Sequence, residues 1–189
     1  MENVTDDLPI FDPDILKRLD YETLTNLSYS TPRSPQKPGE SLIMRPLSAT
    51  DYQKGFLDLL RQLTSVGEVT EEQFIEQFEH MRSCKNTYYI IVIEDVSTGR
   101  IVACGTLIVE RKFIHACATR GLIEEIVVDS NYRGQQLGKL IMDTLTIISK
   151  HIVGCYKTTL QCKVENVPFY EKFGYKQDEQ VFMQYRHKL

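Results

Sequence analysis

The stretch Gly121–Lys139, GLIEEIVVDSNYRGQQLGK, sets three local signals in an order that few folds accept. Leu122, Ile123, Ile126, Val127 and Val128 read as a largely buried strand, Asp129 to Tyr132 as a turn, and Leu137, Leu140, Ile141, Leu145 and Ile148 as one face of a helix. A strand that runs through a glycine-containing turn into a long helix predicts an α/β domain. Gly134 and Gly138 let the backbone amides at the helix start face a ligand, and the positive end of the helix dipole favours an anion there. The expected ligand is a phosphate or pyrophosphate. A P-loop is excluded by spacing, because three residues separate the two glycines instead of four and Leu140 follows Lys139 where a magnesium-holding Ser or Thr would stand. No G-x-G-x-x-G dinucleotide fingerprint occurs.

The other periodicities predict a single mixed sheet. Strands are expected at Leu42–Arg45, Tyr88–Glu94, Ile101–Glu110, the central stretch, Cys155–Cys162 and Val181–Arg186. Residues 95–100, with Gly99, read as a hairpin connection. A helix capped by Ser48 or Thr50 is expected to bury Phe56, Leu57, Leu60 and Leu63 and to end at Ser65-Val66-Gly67. Thr70-Glu71-Glu72-Gln73 is a capping box that opens a helix with the apolar stripe Phe74, Phe78 and Met81. A short helix from Asn166 to Phe173 is stopped by Gly174. Residues 1–40 hold five of the seven prolines among many Ser, Thr and Asn, and read as an extended arm before a domain at 41–189. Within the arm, Phe11, Ile15, Leu16 and Leu19 offer a short amphipathic turn; docking on the domain, docking on a second subunit and a mobile tail all stay open.

A net charge of −4 and a pI near 5.6 argue against a nucleic-acid partner, so an anionic ligand must be held by local groups. The five cysteines lack any C-x-x-C pair and no apolar signal region begins the chain, which fits reduced thiols in the cytosol. No apolar run approaches the roughly 20 residues that cross a bilayer, so the expectation is a cytoplasmic protein, at most peripheral to a membrane. The histidines His80, His115, His151 and His187 are scattered without paired-ligand spacing, and no metal is expected.

Arg133-Gly134-Gln135-Gln136-Leu137-Gly138 resembles the pyrophosphate loop of the GCN5-related N-acetyltransferase superfamily, Q/R-x-x-G-x-G/A, with Gln136 in place of its glycine. Asn166-Val167-Pro168-Phe169-Tyr170-Glu171-Lys172-Phe173-Gly174-Tyr175 resembles a second hallmark of that superfamily. Within it, Glu110–His115, Ile123–Ile126, Gly154–Lys157 and Asn166–Tyr175 are similar in order and spacing to the glucosamine-6-phosphate N-acetyltransferases, over about Leu42 to Arg186. The resemblance implies a mixed, mostly antiparallel central sheet flanked by helices. It also implies a direct transfer from acetyl-CoA to the 2-amino group of glucosamine 6-phosphate, with both substrates bound together, in the pathway toward UDP-N-acetylglucosamine. Such enzymes form homodimers in which the last strand and residues of both chains complete the sites.

Carried over residue by residue, the resemblance assigns acetyl-CoA to Glu125, Ile126 and Val127 of the central strand, to Arg133, Gly134, Gln135, Gln136, Leu137, Gly138 and Lys139 of the loop, and to Asn166, Tyr170, Glu171 and Lys172. It assigns the sugar phosphate to Thr64, Lys112, Phe113, Ile114, His115, Glu124, Tyr156, Lys157, Gln161 and Arg186. Tyr170, Glu124 and Gln161 are the expected catalytic side chains: a phenol for the departing thiolate, a carboxylate for the amine and an amide beside it. Gln161 stands where an Asp or Glu is usual, so it can orient an amine but cannot accept its proton. Two other readings remain open, an acetyltransferase of the same fold for another amine and a non-catalytic acyl-CoA sensor.

Overall fold

The computed structural model of the protein describes residues 8–187, so residues 1–7 of the expected arm and 188–189 of the expected domain lie outside the described residues. Five strands, β1 (Leu42–Pro46), β2 (Tyr88–Asp95), β3 (Arg100–Arg111), β4 (Thr119–Val128) and β5 (Lys157–Leu160), form one sheet in sequence order. The first three pairings are antiparallel and β4 with β5 is parallel. A parallel pair cannot be closed by a hairpin and needs a crossover. Helix α5 (Leu137–Ile147) is that crossover; it packs on β3 and β4 and passes into a π-helical turn at Ile148–Val153. The other helices are α1 (Asp14–Lys17), α2 (Tyr21–Leu24), α3 (Phe56–Arg61), α4 (Glu71–Ser83) and α6 (Val167–Glu171).

Residues 89–93 of β2 are all buried, because both faces of the sheet are covered. Ile91, Ile93, Leu107 and Ile123 meet Leu137, Leu140, Ile141 and Leu145 on one face. Ile90, Val92, Ile101 and Val127 meet Phe56, Leu59, Phe74 and Phe78 on the other. Each large side chain so buried contributes about 1.5–3 kcal/mol, which fixes the rotation of α5 about its axis. The expected arm also reaches this core, for Leu16, Leu19 and Tyr21 are buried in it and Phe11 and Ile15 pack against it.

Two expectations are corrected. The single helix after β1 is split into a 3-10 turn (Ala49–Tyr52) and α3, with Gly55 at φ 79° between them. The break resets the helical phase, so Leu59 is buried while Leu63 is 47% exposed. Asp51 belongs to the turn because its carboxylate is gripped by both terminal nitrogens of Arg45, at 2.8 and 2.6 Å. Glu94 completes this buried charge cluster, taking Arg45 at 2.6 Å and Lys54 at 2.9 Å. The expected last strand at Val181–Arg186 has no regular structure, since a strand exists only with a ladder partner and none lies beside this segment among the described residues. No helix of the described residues is long and apolar enough to cross a membrane.

Candidate active site

The sheet is closed at one end of β4 and open at the other. Pairing with β5 runs from Arg120↔Lys157 to Ile123↔Leu160 and stops there, while β4 continues to Val128. Among the described residues, Glu124–Val128 therefore have β3 on one side and no strand on the other, which leaves an open strand edge for an extended ligand. Where β4 leaves β5 it also carries a β-bulge against β3, to which it stays paired: Cys104 faces Val127 and Thr106 faces Glu124, so Glu125 and Ile126 together oppose Gly105. Glu125 takes up the bend at φ 56°. Gly105 makes the room, because a Cβ there would lie 2.4 Å from Ile126 Cδ1 and 2.6 Å from Ile141 Cγ2.

The opening is a cleft of about 540 Å³ whose walls include Glu124, Glu125, Ile126, Gln161, Asn166 and Tyr170. Glu124 is held above the ordinary glutamate pKa by burial and then by the neighbouring charge of Glu125. Thr106 donates to Glu125 Oε2 at 3.0 Å and orients that carboxylate. Tyr170, on α6, is held above the ordinary tyrosine pKa by burial and by nearby Cys162, so its phenol is protonated at neutral pH.

Beyond β4 the chain turns through a 3-10 element (Ser130–Tyr132) into the anion loop. Gly134 sits at φ 82° and Gln136, at φ 63°, is the left-handed residue from which α5 starts. The first amides of α5 have no intrahelical acceptor, and among the described residues no side-chain cap accepts from them. Gln136, the departure from the loop pattern, is accommodated by the N-terminal segment, for its Oε1 accepts from Ser30 N at 3.1 Å and Ser30 Oγ at 2.7 Å. Lys139 turns the same way: its ammonium donates to the Ser28 carbonyl and lies 4.6 Å from the centre of the Tyr29 ring.

The remaining expected residues fall into separate places. Tyr156 and Lys157, at the other end of β5, lie roughly 10 Å along the strand from the cleft. His115 packs there with its ring tilted 39° to that of Tyr156 and the ring centres 4.7 Å apart, and Lys157 Nζ lies 5.8 Å from the Tyr156 ring centre. His115 belongs to a turn, Phe113–Cys117, in which His115, Ala116 and Cys117 all have φ between 52 and 60°. Lys112 pairs with Glu110 at 2.7 Å, and Phe113 and Ile114 are exposed. Thr64 is exposed just past α3, next to the cleft-lining Leu63; Glu171 lines a second hollow behind β5; Lys172 and Arg186 are exposed outside the cleft walls. The sequence reading missed Gly105, Thr106 and Ser30. For Gly105 the available signal was a glycine interrupting an otherwise β-rich run.

Residues 54–175 match the Acetyltransferase (GNAT) family, and the chain belongs to it. Within that family it is similar to proteins named glucosamine 6-phosphate N-acetyltransferase. It is 42% identical over 176 residues to the probable enzyme of that name from Drosophila melanogaster, covering 93% of this chain and 79% of that one. It is 46% identical over 135 residues to the enzyme from Arabidopsis thaliana, covering 71% of this chain and 90% of that one. The crystal structure of glucosamine-6-phosphate N-acetyltransferase from Arabidopsis thaliana superposes with a TM-score of 0.73 at 43% identity, covering 76% of this chain and 97% of that one.

Proposed function

We propose that the chain transfers the acetyl group of acetyl-CoA to the 2-amino group of glucosamine 6-phosphate, releasing CoA and N-acetylglucosamine 6-phosphate for UDP-N-acetylglucosamine synthesis. The observation that carries this reading is the parting of β4 from β5 beside an uncapped helix start, which sets a carboxylate, a phenol and an open strand edge in one cleft. The names of the relatives supply the substrate. Glu125, Ile126 and Val127 would pair with the pantetheine arm, the Arg133–Lys139 amides would hold the diphosphate, and Asn166 and Tyr170 would flank the thioester, with Glu171 and Lys172 further along the same cofactor. Bound acetyl-CoA supplies an activated acetyl thioester to an amine held in the same cleft.

Around that centre each side chain has one task. Glu124, with its raised pKa, takes the proton of the amine more readily than an ordinary carboxylate would. Gln161 orients the amine through its carbonyl oxygen. Tyr170 brings its proton to the sulfur side of the cleft. Lys157 and Arg186, supported by Lys112 and His115, suit a phosphate.

The reading includes a homodimer. Phe113 is 96% exposed, and Val181, Phe182, Met183 and Tyr185 are 82, 65, 85 and 85% exposed, an apolar surface that suits a protein interface. A second copy whose 181–186 segment pairs beside β5 would cover these groups and bring Arg186 toward a site. Five free cysteines suit a reducing compartment, and we place the protein in the cytosol.

Thiol release from acetyl-CoA against a panel of amines tests the reading. Turnover with glucosamine 6-phosphate and none with glucosamine is the expected result. A preference for spermidine or a peptide N-terminus would instead mark an acetyltransferase for another amine. CoA binding without turnover of any amine would mark a sensor, the outcome that Gln161 in a carboxylate position would favour.

A further inference from the structure

The anion loop is tied to a part of the chain that precedes the sheet. Residues 21–30 lie along α5 and are fastened to it at Gln136, Lys139 and Asp143, positions three and four apart and therefore on one face of the helix. Asp143 is 7% exposed, and one of its carboxylate oxygens accepts from Tyr21 at 2.5 Å, from Thr25 at 2.5 Å and from Tyr29 at 3.4 Å. A buried carboxylate on a helix is costly without such donors, so the three hydroxyls bind this segment firmly to α5. Lys139 holds Ser28 and Tyr29 one turn earlier. The last contact is Ser30 to Gln136.

Gln136 is no ordinary surface residue for such a tether. Its backbone is left-handed at φ 63° and ψ 17°, a conformation that costs a residue other than glycine about 1 kcal/mol and that sets where the amides of Gln136, Leu137 and Gly138 point. The side chain that a glycine would lack is the one that Ser30 grips. We propose that Ser30 is a positioning residue for the diphosphate of acetyl-CoA: by holding the Gln136 amide it keeps the corner of the anion loop left-handed, and the segment before β1 becomes part of the cofactor site. The inference rests on the acetyl-CoA reading above and adds to it the residue that shapes the loop.

The test measures CoA dissociation constants by calorimetry, and initial rates with both substrates, for the full chain and four variants. Ser30→Ala is expected to weaken CoA binding and raise KM for acetyl-CoA on the order of five- to ten-fold, with kcat and KM for the sugar phosphate within about two-fold. Ser30→Thr, which keeps the hydroxyl, should restore the unsubstituted values. Gln136→Gly adopts the left-handed corner without a tether, so adding Ser30→Ala to it should change CoA affinity by less than about two-fold. Ser30→Ala leaving CoA affinity unchanged, or weakening it equally in the Gln136→Gly background, would overturn the proposal while the acetyl-CoA reading stood. Failure of the unsubstituted chain to bind CoA would defeat both.

Discussion

Tyr170 and Gln161 face each other's chemistry in one cleft, and each gives a separable prediction. Burial keeps the Tyr170 phenol protonated, so Tyr170→Phe removes a proton donor without removing the ring. We expect kcat to fall about 10²-fold, with KM for acetyl-CoA changed less than about three-fold, in initial-rate assays. Gln161→Glu puts a second acceptor beside the amine and should raise kcat about tenfold above neutral pH. The gain should fade as pH falls, because a carboxylate sharing the cleft with Glu124 and Glu125 has its pKa raised by their charges and is protonated first. An unchanged rate across that range would leave Glu124 as the sufficient acceptor. Both residues were legible as motif positions, but the directions of side chains were not. Lys139 reads in the sequence as a phosphate contact, and only the folded chain turns its ammonium to Ser28 and Tyr29.

Among the elements, the bulge in β4 decides most, and it depends on Gly105. Gly105→Ala would place a methyl carbon 2.4 Å from Ile126 and 2.6 Å from Ile141, so either the bulge or α5 must move. Overpacking of this kind costs about 1–3 kcal/mol, and urea unfolding should register it together with weaker CoA binding. The strands themselves were readable because apolar residues recur with the period of the elements they form, as in the run from Tyr89 to Ile93. The bulge was not, since it exists only in the register of β4 against β3. The split of the helix after β1 escaped for a similar reason: Ser48 does cap the turn, as expected, but Arg45, through its grip on Asp51, and Gly55, at φ 79°, decide where the turn ends.

For the whole molecule, the buried charge cluster ties β1, β2 and the turn after β1 together and contributes stability that is lost in acid. Burial pushes the Glu94 carboxyl up, but the bonds and charges of Arg45 and Lys54 outweigh it and hold the pKa below the ordinary value of 4.5. A depressed folded pKa means that the stabilisation is fully present above about 4.5 and is lost as pH falls through the folded value. Breaking this buried pair with Glu94→Gln should cost about 3 kcal/mol at pH 7, and the gap to the unsubstituted protein should close as pH falls below about 4.5, as followed by urea unfolding. At the same scale, removing the residues after Tyr175 takes away the exposed Val181, Phe182, Met183 and Tyr185 and should leave a monomer. Ultracentrifugation that returned an unchanged dimer would refute that role for the segment.

Taken by itself, the sequence settled the five strands of the sheet and its long helix, though not the irregular course of Val181–Arg186 or the split after β1, and it marked a loop at the start of the long helix that suits an anion and a resemblance to N-acetyltransferases. Those properties are local: the spacing of apolar side chains and glycines records which face of an element is buried and where the backbone must turn. The tertiary structure alone decided that β5 leaves β4 after Ile123, that Gly105 yields to the bulge, and that residues 21–30 clamp α5 at Asp143 and reach Gln136. Each of these is a contact between residues distant in the chain, more than a hundred positions apart in the case of Ser30 and Gln136, and no periodicity along the chain encodes which distant partner a side chain meets.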